Sequence, residues 1–124
     1  MTAGAMILIV DDNAANLKLA RVVLSAEGYD VRTATDAEEA LRVLTTISPR
    51  LVLMDIQLPD MDGLELTRRL KADPKYRDLI IVALTAYAMK GDDEKAKKAG
   101  CDGYVTKPID PETLPTLVSE FLAR

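Results

Sequence analysis

Four short apolar runs in the chain each end on polar residues whose side chains suit metal and phosphate chemistry. The first run ends on Asp11 and Asp12, the second on Asp55, the third on Thr85 and the fourth on Lys107. If these runs are parallel strands of one sheet, their carboxyl ends meet at a single edge, where open α/β sheets place their ligand sites. The pattern therefore predicts that three carboxylates, a hydroxyl group and an ammonium group converge there.

The predicted cluster suits a magnesium-assisted transfer of a phosphoryl group. Three carboxylates beside one ammonium group repel one another, and a divalent cation relieves that repulsion. Magnesium prefers oxygen ligands and keeps several waters, and Mn²⁺ is an alternative occupant. Thr85 and Lys107 can bind phosphoryl oxygens, and an aspartate is a competent nucleophile for phosphorus. Phosphoryl transfer requires little beyond such positioning and charge stabilisation.

Each signal also has a plainer explanation when it is taken alone. An Asp-Asp pair before a helix is usually a cap, and the pair Lys107-Pro108 is usually a turn. A threonine at the end of a strand, such as Thr85, is ordinary. All four strand ends nevertheless carry compatible groups, and this coincidence favours the functional interpretation.

Composition excludes several classes of protein. The 124 residues suit one domain, and a net charge of −4 without a basic run argues against nucleic acid as a partner. No signal peptide or membrane span is visible, and the single Cys101 cannot form an internal disulfide, so a cytoplasmic location is expected. Histidine is absent, which excludes a histidine phosphodonor, a Ser-His hydrolase and a histidine-ligated zinc site.

Strand and helix patterns alternate from end to end and predict a parallel sheet with helices on both faces. Asn13 is a predicted cap, Thr35 to Glu38 resemble a capping box, and Asp110 with Pro111 predicts the start of the last helix. The predicted strands are 6–10, 29–34, 51–54, 79–84 and 104–105. The predicted helices are 14–27, 37 to about 48, about 64–72, 88–99 and 110–122. The strands 51–54 and 79–84 are fully apolar and should be central, whereas 29–34 alternates and should lie at an edge.

With these motifs in order, the chain resembles the response-regulator receiver domains of two-component signalling. The resemblance implies a (βα)5 flavodoxin-like, doubly wound parallel sheet with strand order 2-1-3-4-5. It extends from residue 7 to about residue 122. The motifs that carry it are Ile9-Val10-Asp11-Asp12-Asn13, Leu53-Met54-Asp55-Ile56-Gln57-Leu58-Pro59, Asp62-Gly63, Ala83-Leu84-Thr85-Ala86 and Tyr104-Val105-Thr106-Lys107-Pro108.

The resemblance also implies roles for the acidic residues. Asp55 would accept a phosphoryl group from the phosphohistidine of a sensor histidine kinase or of a histidine phosphotransfer protein. Asp12, Asp55 and the main-chain carbonyl of Gln57 would bind magnesium directly, and Asp11 would act largely through water. Such a domain catalyses only its own phosphorylation and dephosphorylation, so it is not expected to be an enzyme in the usual sense.

Further residues would couple phosphorylation to signalling. Thr85 and Lys107 would bind the phosphoryl oxygens, and a cis Lys107-Pro108 bond would aim the lysine. Thr85 and Tyr104 would move as a switch, and the face formed by residues 88–122 would then change for a downstream protein. The small Ala86 would leave room for the phosphoryl group. Gln57 and the bulky Tyr87 lie where the family varies in phosphoryl lifetime, and Tyr87 predicts slow self-dephosphorylation.

The segments 85–92 and 100–104 are similar to DivK-type single-domain regulators and to receivers fused to hybrid kinases. The expected organisation is a loose leader at 1–5 and one receiver domain at 6–124 without an output domain, acting as a monomer or weak dimer. The alternative is a receiver module cut from a hybrid histidine kinase or a larger regulator. A small aspartyl-phosphate phosphatase is less favoured, because Gln57 stands where an acid-base aspartate would be needed. A binding module that never meets phosphate leaves the three acids unexplained.

Overall fold

The computed structural model describes residues 4–85 and 92–123, in which strands and helices alternate along the chain. All strand pairs are parallel, and the sheet order is β2-β1-β3-β4-β5, as predicted. The strands are β1 (Met6–Val10), β2 (Asp30–Ala34), β3 (Leu51–Asp55), β4 (Ile80–Thr85) and β5 (Gly103–Thr106). The helices are α1 (Ala14–Ala26), α2 (Ala37–Leu44), α3 (Gly63–Ala72), α4 (Asp92–Ala99) and α5 (Leu114–Leu122), with a 3₁₀ turn at Pro74–Tyr76.

Helices cover both faces of the sheet, which explains why the inner strands show no polar alternation. Every residue of β3 is buried, and so is all of β1 beyond Met6 and all of β4 beyond Ile80. One apolar cluster joins the sheet to α1 and α5, and a second joins its other face to α2 and α3. As predicted, β3 and β4 lie inside the sheet and β2 lies at an edge.

The start of α2 differs from the predicted capping box by one residue. Asp36 is the cap, and its carboxylate accepts a hydrogen bond from the Glu39 amide at 2.7 Å. The Glu39 carboxylate in turn accepts from the Thr35 amide at 2.7 Å, so Glu39 and not Glu38 closes the box. The helix ends at Leu44, four residues before the predicted end.

The last helix begins later than predicted. The Asp110 carboxylate accepts from the Glu112 amide at 2.9 Å, but it closes a local turn and α5 starts only at Leu114. Pro115 then lies in the first turn, where a missing backbone N–H removes no intrahelical hydrogen bond. Pro115 is therefore compatible with the observed start of α5.

Two other predicted boundaries can be compared with the structure. The predicted helix 88–99 is described from Asp92, and the predictions for Ala86 and Tyr87 lie outside the described residues. Within the predicted leader, Ala5 is buried, and its carbonyl accepts from the Asp30 amide at 3.0 Å. Ala5 thus packs with the domain.

No helix in the described ranges has the length and apolar character needed to cross a membrane.

Candidate phosphoacceptor site

Two neighbouring parallel strands bring the acidic residues together. Val10 of β1 pairs with Met54 of β3, so Asp11, which follows Val10, and Asp55 leave the sheet side by side. Asp11 is fully buried, Asp55 is 3% exposed and Asp12 is exposed to solvent. Each of the three offers a carboxylate oxygen, and these oxygens lie within 4.8 Å of one another. The predicted convergence of the three acids is therefore present, and their oxygens are of the kind that Mg²⁺ prefers.

Lys107 supplies the positive charge that this cluster needs. Its Nζ lies 2.9 Å from Asp11 Oδ2 and 2.9 Å from Asp55 Oδ2. Its backbone amide donates to the Thr85 carbonyl at 2.7 Å, which anchors the lysine to the end of β4. The Lys107-Pro108 peptide is cis, as expected. One ammonium group therefore bridges two buried carboxylates.

The two buried acids accept further hydrogen bonds from nearby groups. Asp11 Oδ1 accepts from the Asn13 amide at 2.9 Å, and Asp11 Oδ2 accepts from the Asn16 side chain at 3.2 Å. Asp55 Oδ1 accepts from the Gln57 amide at 2.9 Å. These bonds fix the rotamers of both acids. The contribution of Asn16 was not predicted, because nothing in the local pattern of α1 distinguishes it from a surface residue.

Burial and the neighbouring charges shift the pKa values of the central pair. Burial raises the pKa of Asp55, because the Gln57 amide and the Lys107 ammonium offset only part of the cost of desolvation and the charge of Asp11 adds to it. For Lys107, burial works against the charged form, but the bonds to Asp11 and Asp55 outweigh it and the pKa is raised. The lysine is therefore charged at neutral pH, whereas the Asp55 carboxylate gains from an additional cation.

The remaining predicted residues surround this cluster. Thr85 is buried at the end of β4 and pairs with Thr106 across the sheet. Gln57 lies in the loop after β3 with its side chain exposed, and its amide is bonded to Asp55. Tyr104 on β5 is half-buried, and it packs against a cluster that includes Ala83 and Ala96. The structure thus places the predicted site residues around the same edge of the sheet, with Tyr104 further down β5.

Gly63 is required by the close approach of α3 to Asp55 and Ile56. A Cβ atom at Gly63 would lie 2.1 Å from the Asp55 carbonyl oxygen and 2.7 Å from the Ile56 Cα. Both are backbone atoms that cannot turn aside. The Gly63 amide also donates to the Ile56 carbonyl at 3.0 Å. The missing side chain lets α3 start directly against the residue that follows Asp55.

We expect Gly63→Ala to destabilise the domain by about 3 kcal/mol, the upper part of the range for overpacking, because only backbone movement can relieve the contact. Urea unfolding measures this loss. The exposed Arg68→Ala on the same helix is the control, and its effect should stay within about 0.5 kcal/mol. A Gly63→Ala protein as stable as the control would contradict the contact.

Comparison with known proteins identifies the class of protein to which this chain belongs. The sequence profile of the response regulator receiver domain matches residues 7–119. The chain belongs to this family, the receiver domains of two-component signalling.

Individual relatives agree with this assignment. The chain is 43% identical to the polar-differentiation response regulator DivK of Brucella anthropi, over 91% of this chain and 93% of that protein. A putative response regulator from Chloroflexus aurantiacus superposes with a TM-score of 0.91 at 34% identity, covering 97% of this chain and 98% of the other. The signal receiver domain of a histidine kinase from Syntrophus aciditrophicus gives a TM-score of 0.87 at 30% identity, covering 96% and 90%.

Proposed function

We propose that this receiver accepts a phosphoryl group on Asp55 in a Mg²⁺-dependent reaction and relays the signal by protein contact. The donor is the phosphohistidine of a sensor histidine kinase or a histidine phosphotransfer protein. The observation that carries the proposal is the Lys107 ammonium group, 2.9 Å from both Asp11 and Asp55, beside the exposed acid Asp12. This arrangement places the proposed nucleophile, Asp55, beside the Lys107 ammonium group, which can neutralise the charge of a phosphoryl group.

The donor set fits a hard divalent cation. Asp11, Asp12 and Asp55 offer carboxylate oxygens within 4.8 Å of one another. Asp12, Asp55 and the carbonyl of Gln57 would hold Mg²⁺, or Mn²⁺ in its place, and Asp11 would act largely through water. A bound cation supplies charge neutralisation for the phosphoryl oxygens and the acids around them.

The chain's own residues perform the transfer by positioning. An Asp55 carboxylate oxygen attacks the phosphorus, the new P–O bond forms, and the bond from phosphorus to the donor's imidazole nitrogen breaks. The imidazole leaves with the electron pair of that bond. Lys107 and Thr85 stabilise the equatorial oxygens, as phosphoryl transfer requires. Hydrolysis of the acyl phosphate by water returns the domain to its starting state.

Phosphorylation then biases the signalling face. Thr85 and Tyr104 form the switch, and the face formed by residues 88–122 presents the changed surface to a downstream protein. The support is that Tyr104, on β5, packs against the apolar cluster that includes Ala96 and Ala99 of α4. The proposed setting is the cytoplasm, with the domain acting as a monomer or weak dimer without nucleic acid or membrane as partners.

A second candidate is a receiver module that operates inside a hybrid histidine kinase or a larger regulator. The likeness to the receiver domain of the Syntrophus aciditrophicus histidine kinase favours it. The chemistry at Asp55 would be the same in both cases. The two candidates differ in whether the receiver acts alone or is joined to further domains.

Acetyl phosphate tests the chemistry without knowledge of the natural kinase. We expect the intact mass to rise by one phosphoryl group when the protein is incubated with acetyl phosphate and Mg²⁺, and to stay unchanged without the cation. Beryllofluoride with Mg²⁺ should shift the amide resonances of residues around Asp55 and of the 88–122 face. A protein that takes up no phosphoryl group under these conditions would overturn the proposal.

Mg²⁺ should also stabilise the folded chain. A ligand that binds only the native state adds about 2.7 kcal/mol at 100 times its dissociation constant. Thermal unfolding with increasing Mg²⁺ measures the effect, which Asp12→Ala should largely remove. Asp93→Ala removes an exposed acid on α4 and is the matched control for the change in charge. Equal Mg²⁺ stabilisation of the Asp12 variant and the wild type would place the cation elsewhere.

A further inference from the structure

The loop between β3 and α3, residues 56–62, carries Gln57 and is held at its base. Gln57 and Asp62 form an antiparallel bridge, and the Gly63 amide donates to the Ile56 carbonyl at 3.0 Å. The Asp62 carboxylate caps α3 by accepting from the Leu64 amide at 2.8 Å. These contacts fix where the loop leaves the sheet, but they do not reach its tip.

The tip of the loop is fastened to a different helix. Asp60 Oδ1 accepts from the Ala37 amide at 2.9 Å, and Asp60 Oδ2 accepts from the Glu38 amide at 3.0 Å. Amides in the first turn of a helix have no acceptor within the helix, and the helix dipole favours a carboxylate there. Because both oxygens are engaged, the carboxylate is fixed in orientation as well as in position.

The helix that receives Asp60 is itself firmly packed. Ala37, Ala40 and Leu44 on α2 are each at most 1% exposed and belong to the apolar cluster under the sheet. Leu58 and Met61, which flank Asp60 in the loop, pack against the same cluster. The loop tip is therefore bonded to α2 by one bidentate carboxylate, and the neighbouring apolar side chains pack against the cluster that α2 shares.

The hydrogen bonds from Ala37 and Glu38 also lower the pKa of Asp60, with that from Ala37 contributing most. The carboxylate is therefore ionised at neutral pH and remains an acceptor for both amides.

We propose that Asp60 is a positioning residue for the phosphoacceptor site, because its bonds to α2 hold the loop that presents Gln57 beside Asp55. The inference rests on the proposed function, in which the Gln57 carbonyl is a cation ligand. Mg²⁺ requires near-ideal octahedral geometry, so the cation affinity depends on where that carbonyl lies. Contacts that orient metal ligands from outside typically account for about 10–100-fold in affinity or activity.

The chain provides a matched control in Asp36. Its carboxylate caps the same helix by accepting from the Glu39 amide at 2.7 Å, but that bond stays within the first turn of α2. Asp60→Ala and Asp36→Ala each remove one negative charge and at least one cap from α2. Only the first variant removes the bonds between the loop tip and α2.

The experiment compares the two variants in the full chain. Mg²⁺ titration gives the cation affinity, acetyl phosphate labelling gives the phosphorylation rate, and urea unfolding gives the stability. We expect Asp60→Ala to lose about tenfold in Mg²⁺ affinity and in labelling rate, at a stability close to that of Asp36→Ala. Asp36→Ala should stay within about twofold of the wild type, since loss of a local cap leaves the loop in place. The amide resonances of Gln57 and Gly63, recorded without metal, should shift in Asp60→Ala and not in Asp36→Ala.

The outcomes separate the inference from the proposed function. Equal Mg²⁺ affinity and equal labelling in the two alanine variants would overturn the role of Asp60 while leaving phosphorylation of Asp55 intact. A wild-type protein that neither binds Mg²⁺ nor takes up a phosphoryl group would overturn both. If Asp60→Ala does not fold, Asp60→Asn replaces it in the comparison. Asparagine keeps one acceptor oxygen, so Asp60→Asn should lose less Mg²⁺ affinity than Asp60→Ala would. Its loss of Mg²⁺ affinity should still exceed that of Asp36→Asn. Equal affinities of those two asparagine variants would also reject the inference.

Discussion

Replacing Asp55 by asparagine should abolish covalent labelling by acetyl phosphate in the presence of Mg²⁺. The amide keeps the size of the side chain and its hydrogen-bond acceptor for Gln57, but it cannot attack phosphorus as a carboxylate oxygen does. Intact-mass measurement of the variant should show no phosphoryl adduct at times when the wild type is fully labelled.

The control is Asp78→Asn, which changes an exposed acid at the opposite edge of the sheet and should be labelled at the wild-type rate. Undiminished labelling of the Asp55 variant would move the acceptor to another residue. Peptide mapping of the adduct after borohydride reduction would then identify that residue.

The same variant should be more stable than the wild type in metal-free buffer at neutral pH. Burial raises the pKa of Asp55 in the folded state, so ionisation costs the folded chain more than the unfolded chain. This penalty is absent below the pKa of the unfolded state and grows as the pH rises through the raised pKa of the folded state. Urea unfolding at a series of pH values should therefore show the advantage of Asp55→Asn shrinking as the pH falls. An advantage that is constant with pH would assign the gain to a cause other than the charge.

Lys107→Met should lose both phosphorylation and stability. Methionine keeps the apolar part of the side chain but leaves Asp11 and Asp55 without the ammonium group that lies 2.9 Å from each. Removing one partner of a buried ion pair typically costs about 3–5 kcal/mol. The loss should be largest in metal-free buffer and smaller with Mg²⁺, because a cation bound by the same acids compensates part of the missing charge. Urea unfolding with and without Mg²⁺, together with acetyl phosphate labelling, measures both effects.

Lys98→Met is the matched control, since Lys98 is exposed on α4. Its stability should stay within about 0.5 kcal/mol of the wild type. If the Lys107 variant lost no more than this control, the ion pairs with Asp11 and Asp55 would contribute nothing to the fold. If its stability did not respond to Mg²⁺ while the wild type did, cation binding would itself depend on Lys107.

The sheet edge was the most predictable part of the molecule. Fully apolar runs such as those that became β3 and β4 are typical of covered parallel strands, and the residue after such a run must emerge at the carboxyl edge. The arrival of Asp11, Asp55 and Lys107 at one edge of the sheet follows from this geometry. Their individual partners do not, because the ammonium group of Lys107 could have paired with any of the three acids.

Helix ends were less predictable, because local hydrogen-bonding groups have more than one use. Asp110 with Pro111 looks like a cap, yet the Asp110 carboxylate closes a turn to Glu112 and the helix begins at Leu114. At α2 the capping box lies one residue later than predicted. Glu38 and Glu39 carry the same side chain, so the sequence does not show which of them closes the box. Short-range patterns indicate reliably that a helix begins in such a region. They are less reliable in identifying the residue at which it begins.

Long-range hydrogen bonds lay beyond the sequence patterns altogether. The bonds from the amides of Ala37 and Glu38 to Asp60 span 23 and 22 residues, and they depend on how a loop folds over a helix on the same face of the sheet. In the sequence, Asp60 is one of two aspartates between Pro59 and Gly63. Only the packed structure distinguishes it from its neighbours.

The ammonium group of Lys107, which two carboxylates share, also affects how the domain responds to the loss of divalent cations. A structural zinc module collapses when a chelator strips its ion, because nothing else holds its ligands together. Here the chain supplies its own counter-ion for the two buried acids, so EDTA should leave the domain native. If the proposed Mg²⁺ site is used, removing the cation should stop phosphorylation without unfolding the chain, and adding Mg²⁺ back should restore it without a refolding step.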